Sequence, residues 1–454
     1  MSDHKTPTTF KDFIPPMGTH RLYGMGPQDF LDTMPERRWT RRAAEIAEIT
    51  PENFKGITTD GTVMRDVFSI RSEGAPTLSV VEAAGKMLGL LNDAQRAKVV
   101  QPVTSMQKNR WQNGIPDYEK EGIRLDEVRP PVRDAVMAIL RAAMGAEGYA
   151  RLRDVMRLNG YLGELVGAEK LLGEWCYRIH FWGTPSTSEP WGWQFAGHHL
   201  AMTCFMLGDQ MVHTPIFFGV EPNEASEGQF AGASVFKDEE AAGLRFAQGL
   251  DADQRRKAVI YDSILPGDLP PGRHHPLNGL NLGNAYCDNV VVPYEGITGA
   301  DLRPDQKQGL LDLARSYLRT LPQGPLSAKM EDLERHWAET RFCWAGGLEE
   351  DSVFYYRIQS PVVMIEFDHH QGVVLNNEAP ERFHIHTLVR TPNGNDYGAD
   401  LLRQHYETSA HHNPQVAQAQ DHAHSHSPAK EHSHQNTHAQ DHHHGDGQLH
   451  HHHK

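Results

Sequence analysis

Along residues 78–91 the apolar positions Val81, Ala84, Leu88 and Leu91 recur at helical spacing, and Ser79 with Glu82 has the spacing of a capping box. A second helix is expected from Pro131, with Val132, Val136, Ile139, Leu140 and Ala143 on its apolar side and a stop at Gly145. The texture changes at residue 173. Glu174 to Trp182 is aromatic and β-rich, and the runs His199–Leu207 and Met211–Phe218 flank Gly208-Asp209 as a hairpin. Helical patterns follow over 238–249, 252–264, 300–320 and 325–340. Strand patterns return at 341–345, 353–359, 361–368 and 383–390, and a last helix over 398–407 follows the turn Pro392-Asn393-Gly394-Asn395.

These elements predict an α+β fold, a mostly antiparallel sheet flanked by helices, with a helical N-terminal part. Residues 1–74, whose first forty are rich in Pro, Gly and Met, are expected to wrap the surface. Residues 75–407 form a single domain: helical over 75–172, strand-rich over 173–220 and 341–390, helical between 238 and 340. After Glu407 the composition breaks. Residues 408–454 hold 15 of the 29 histidines and few large apolar side chains, so this tail is expected to be disordered.

Composition then narrows the function. A net charge of −15 and the lack of a Lys/Arg cluster argue against a nucleic-acid partner. No run of about 18 apolar residues exists, so no membrane helix is expected. Met1 to Thr9 lacks an apolar h-region, and Cys176, Cys204, Cys287 and Cys343 form no CxxC pair. Free thiols and a cytoplasmic location are therefore expected. Two echoes hint at internal duplication: Cys176-Tyr177-Arg178-Ile179 with Tyr355-Tyr356-Arg357-Ile358, and the helix opening Leu91-Asn92-Asp93-Ala94-Gln95, repeated at 250–254 and 302–306.

The strongest chemistry lies in 361–405. Period-two alternation puts Val363, Ile365 and Phe367 on one face of a strand and Met364, Glu366 and Asp368 on the other. His384 and His386 share a face of the next strand. Antiparallel pairing would set two imidazoles beside two carboxylates, the nitrogen-plus-oxygen donor set of Zn, Mn, Cu or Fe(II) sites. A polar face whose His and Glu pair with each other has the same pattern. His198 and His199 form a second cluster, of which one can join the site; His369-His370, in the loop after Asp368, are further ligand candidates. Arg357 and Arg390 on flanking strands either pair with carboxylates or bind an anionic substrate. GxSxG, GxxxxGK[ST], HExxH and a placed GxGxxG are all missing.

Several stretches together carry a family resemblance: Phe181-Trp182-Gly183-Thr184-Pro185-Ser186, Pro190 to His199, Thr214-Pro215-Ile216-Phe217-Phe218-Gly219, Phe342-Cys343-Trp344-Ala345-Gly346-Gly347, Glu366-Phe367-Asp368, His384-Ile385-His386-Thr387 and Pro392 to Gly398. From about residue 75 to 407 the chain resembles a bacterial and fungal domain-of-unknown-function family, catalogued as number thirty-five hundred. The resemblance implies one integral domain spanning both strand regions and brings no activity with it. The residues themselves lead to the expectation of a metal-dependent enzyme acting on a small molecule, oxidation slightly favoured over hydrolysis. His384, His386 and Glu366 would be ligands, with one of His198 and His199; Asp368 would orient a ligand or act as base, and Arg357 or Arg390 would anchor substrate. The rival expectation is a protein that stores or delivers Zn, Ni or Cu without catalysis, through its tail.

Overall fold

The computed structural model describes residues 9–33, 49–115 and 121–409, and the histidine-rich tail expected from 408 falls almost wholly outside them. Residues up to His405 form one compact unit, and a second begins at Tyr406.

After a short helix α1 (Pro27–Asp32), two successions of elements follow one another. The first is α2 (Thr77–Gly89), α3 (Asp93–Val99), β1 (Val100–Gln101), β2 (Ile123–Arg124), α4 (Pro130–Ala143), α5 (Ala146–Val166), β3 (Tyr177–Trp182), β4 (Trp191–Gly197), β5 (Leu200–Leu207), β6 (Gln210–Val212) and β7 (Ile216–Val220). The second is α6 (Lys237–Gln248), α7 (Ala252–Ala258), β8 (Val259–Tyr261), β9 (Ile297–Thr298), α8 (Pro304–Leu318), α9 (Gln323–Arg335), β10 (Arg341–Gly346), β11 (Phe354–Gln359), β12 (Met364–His370) and β13 (Glu381–Arg390). Helix α10 (Ala399–Thr408) closes the described chain.

All the strands of the described residues join one sheet in the order β1-β3-β4-β5-β7-β13-β12-β11-β10-β8, with β2 beside β3, β6 beside β5 and β9 beside β10. The sheet is mixed, which corrects the expectation of a mostly antiparallel one. At its two ends β1 runs parallel to β3 and β8 parallel to β10. Both are very short strands that continue directly from a helix, α3 or α7, so no hydrophobic alternation announces them.

The strand order reads the same from either end, and the register repeats as well. Gly192 pairs with Phe205 and Tyr355 with Asp368: 355 against 192 and 368 against 205, an offset of 163 in both. The same offset relates Arg178–Arg124 in β3–β2 to Arg341–Thr298 in β10–β9 at the β3 and β10 positions. The two halves meet where β7 pairs with β13. The chain is thus a structural duplication. Two of the three helix openings agree with it: Asn92 caps α3 and Asp251 caps α7, each with a reciprocal glutamine three residues on, whereas the one at 302–306 opens α8 and has no such counterpart. The Tyr-Arg-Ile echo was not, because β3 corresponds to β10 whereas Tyr356-Arg357-Ile358 lies in β11.

One sheet face, with Val363, Ile365, Phe367, Ile385 and Val389, packs on the helices to make the main core. The other face lies under loops. Ile57, Trp111 and Val292 cover Phe217, Met364 and Leu388, while Ile264, Leu269 and Leu280 cover Cys343, Ala345 and Tyr355. Helix α2 begins at Thr77, with Pro76 at its cap, so Ser79 and Glu82 are not its capping box, and Val80, Ala84 and Met87 are its buried stripe. Helix α4 buries the residues its pattern named. The first 74 residues do more than wrap, since Phe10, Leu22, Phe30 and Ile57 are buried.

Two outcomes check this packing. Arg390 is buried between Asp396 (2.7 Å) and Asp288 (2.6 Å), so Arg390→Met strands two carboxylates and is expected to cost about 3–5 kcal/mol in denaturant unfolding. Burial pushes the His180 imidazole down to about 4 from 6.5. Between those values the unfolded chain holds the proton and the folded chain does not, so stability falls as pH drops from about 6.5 to about 4. His180→Gln should remove about 3 kcal/mol of that fall in a series of melts against pH.

Candidate metal centre

On the loop-covered face, cross-strand pairing sets one row across the sheet: Tyr355 on β11, Asp368 on β12, His386 on β13 and Gly219 on β7. The Gly219 amide then donates to the carbonyl of His199 at 2.7 Å. His384 stands two residues before His386 and therefore on the same face. His199 reaches the row from the tight turn between β4 and β5, where its φ of +60° is in the left-handed region that few non-glycine residues adopt. Such strain persists where the surroundings impose it, and functional sites are where it concentrates.

Three imidazoles meet there. His384 Nε2 lies 3.1 Å from His386 Nε2, which lies 3.3 Å from His199 Nε2. Two nitrogens each about 2.0–2.1 Å from one ion, at a tetrahedral angle, stand about 3.3 Å apart, so the spacing is that of shared coordination. These three form the potential ligand group among the described residues. All are buried, with exposures of 4%, 0% and 2% for His199, His384 and His386. Burial, and the repulsion of neighbouring imidazoles, hold each well below the usual histidine range, so they stay neutral, the form that ligates. Gly219 makes the room: a Cβ there would come within 2.9 Å of Cδ2 of both His199 and His386.

A fourth imidazole borders the group. His370 is buried, its ring 4.4 Å from that of His386 and 4.9 Å from that of His384. A bulge between His369 and His370 turns them apart. His369 faces the core and binds Glu240 (2.8 Å), whereas His370 Nδ1 donates to the Gln371 carbonyl (2.8 Å) and so leaves Nε2 with its lone pair and without a protein partner. On the outer side, Glu221 Oε1 is 3.7 Å from His384 Nδ1. Its carboxylate accepts from the amides of Val373, Val374 and Leu375, yet burial pushes its pKa up to about 7. A carboxylate behind a ligating histidine is a common orienting device.

The remaining expected residues are placed differently. His198 turns away from the group: its Nδ1 meets Asn159 Oδ1 at 2.7 Å, and its ring stacks on His199 at 3.9 Å. Glu366 does not join the three histidines, because its oxygens accept from the amides of Leu282 and Gly283 and from the Tyr355 hydroxyl. Asp368 accepts from the Leu280 amide, and its burial pushes the carboxyl well above the usual range. Both carboxyls thus fasten loop residues 280–283 to β12, beside His370. The loop closes tightly: a Cβ on Gly279, at φ +57°, would collide with Asp368 Oδ2. Arg357 pairs with Glu295 (2.7 Å) and Arg390 with Asp288 and Asp396, so both guanidiniums hold structure instead of facing a ligand. Glu221 escaped the sequence reading. Its signal is a charged residue directly after the wholly apolar β7.

The model of a family described as a protein of unknown function, DUF3500, matches residues 73–399. The chain belongs to this family. The matched span takes in both halves of the duplication and every histidine of the cluster. Neither a curated protein nor a solved structure shows significant similarity to the chain.

Gly219→Ala tests the packing of the cluster. The added methyl must displace the rings of His199 and His386, and the expected cost is about 1–3 kcal/mol of stability in thermal or denaturant unfolding.

Proposed function

We propose that this protein is a metal-dependent enzyme acting on a small molecule, with a divalent transition metal held by His199, His384 and His386. The observation that carries the reading is the convergence of three buried, neutral imidazole nitrogens at the separations a shared ion imposes. Imidazole donors suit Zn, Cu and Fe. The slight preference for oxidation rested on Glu366 as a carboxylate ligand, and with that carboxylate engaged by loop amides the preference loses its basis. Three neutral ligands leave the double charge of the ion uncompensated, and such an ion supplies Lewis acidity and acidifies bound water.

Elemental analysis of the chain ending at Glu407, purified without a metal column, tests the reading. The expected result is about one equivalent of Fe, Zn, Mn or Cu per chain, lost in the His384→Ala, His386→Ala double variant. No bound metal after reconstitution would sink the proposal. Capacity for several ions that disappears with the tail would favour storage or delivery instead.

A further inference from the structure

Near the end of β13, and lined by none of the clustered histidines, is a cavity of about 60 Å³. A single water needs about 10–15 Å³, so the space exceeds that of one solvent molecule. Its walls come from both halves of the duplication: His213 and Thr214 ahead of β7, Leu318 of α8, Lys329 of α9, and Val389 and Thr391 at the end of β13. Exposed Ser69 and the largely exposed Arg335 lie at its edge.

Two of these groups have bonding capacity left over. His213 is 3% exposed, and neither ring nitrogen has a hydrogen-bond partner. One of them must carry a proton and the other a lone pair. The Lys329 ammonium donates to the Val362 carbonyl (2.9 Å) and the Thr391 hydroxyl (3.2 Å), which leaves one N–H over. It makes no ion pair among the described residues. The acids beside it are taken: Asp332 by Arg71 and Arg335, and Glu73 by Arg71, Gln210 and the Met211 amide. Burial holds the Lys329 pKa below its ordinary value, so the charge sits where a bound anion would be favoured. Thr214 and Thr391 share a hydrogen bond of 2.7 Å at the same end of the space. Met211, Leu318, Leu321 and Val389 add apolar lining, and the Phe68 ring lies 5.8 Å from the Lys329 ammonium.

A buried cation without a direct ion pair, an unpartnered histidine and apolar lining define the chemistry of the occupant. We propose that this cavity is a second ligand site, for a short aliphatic monocarboxylate whose carboxylate meets Lys329 and His213 and whose hydrocarbon end lies against Leu318 and Val389. Inorganic phosphate would satisfy the cation and leave the apolar wall uncovered. An alcohol of the same length would cover the wall and leave the cation unpaired. The site is independent of the metal centre and of the function proposed for it.

The test is isothermal titration of the full chain, stripped of metal, with sodium butyrate, sodium phosphate and 1-butanol. Butyrate is expected to bind saturably at one site per chain, while phosphate and butanol do not. Lys329→Met should weaken butyrate at least tenfold, and His213→Phe, which fills the space, should abolish binding. The His384→Ala, His386→Ala variant should bind as the parent does. The proposal is overturned if the parent chain does not bind butyrate, if phosphate binds as tightly, or if both cavity variants keep the parent affinity.

Discussion

A β-strand turns successive side chains to opposite faces, so His384 and His386 meet His199 only while β7, β13 and β12 keep their register. A slip of one residue would send both imidazoles into the apolar core and bring Ile385 out. The register is pinned from both sides. On the core face Ile365, Phe367, Ile385 and Val389 are buried among the helices. On the other, Glu366 and Asp368 bind the amides of the covering loop, and Arg390 binds Asp288, the Gly283 carbonyl and Asp396. The carboxylates that look like ligands in the sequence thus act one step further out. They hold loop residues 280–283 against β12, where Gly279 comes up against His370.

The duplication explains why the described residues hold one such cluster and not two. At the place of Asp368 the first half has Phe205, which packs with Leu207, Val212 and Leu401 in a small apolar cluster. The turn corresponding to His198-His199 is Pro361-Val362, closed by the Ser360 amide on the Val363 carbonyl. Each half therefore supplies part of a single site. The first gives His199 from its turn, and the second gives His384, His386 and the neighbouring His370. The junction between β7 and β13 brings these parts together, so the halves depend on each other for the site.

Alternation correctly assigned the two faces of β12 and β13, and Gly208-Asp209 marked the β5–β6 hairpin. His384 and His386 were legible because a strand's period is fixed by its backbone. His199 and His198 could not be separated: the reading placed them on a strand, whereas they form its turn, and φ decides which one points to the cluster. The occupation of Glu366 and Asp368 by amides of residues 280–283 was out of reach, because it depends on a loop more than eighty residues earlier in the chain. Glu221 likewise matters only through strand pairing.

The most direct test of the central claim is X-ray absorption at the edge of the bound metal, on the chain ending at Glu407. The account predicts a shell of nitrogen donors at about 2.0–2.1 Å, with the outer-shell scattering of three imidazoles reduced by one in His199→Ala. A shell of oxygen donors alone, or a spectrum unchanged when His199 is replaced, would contradict it.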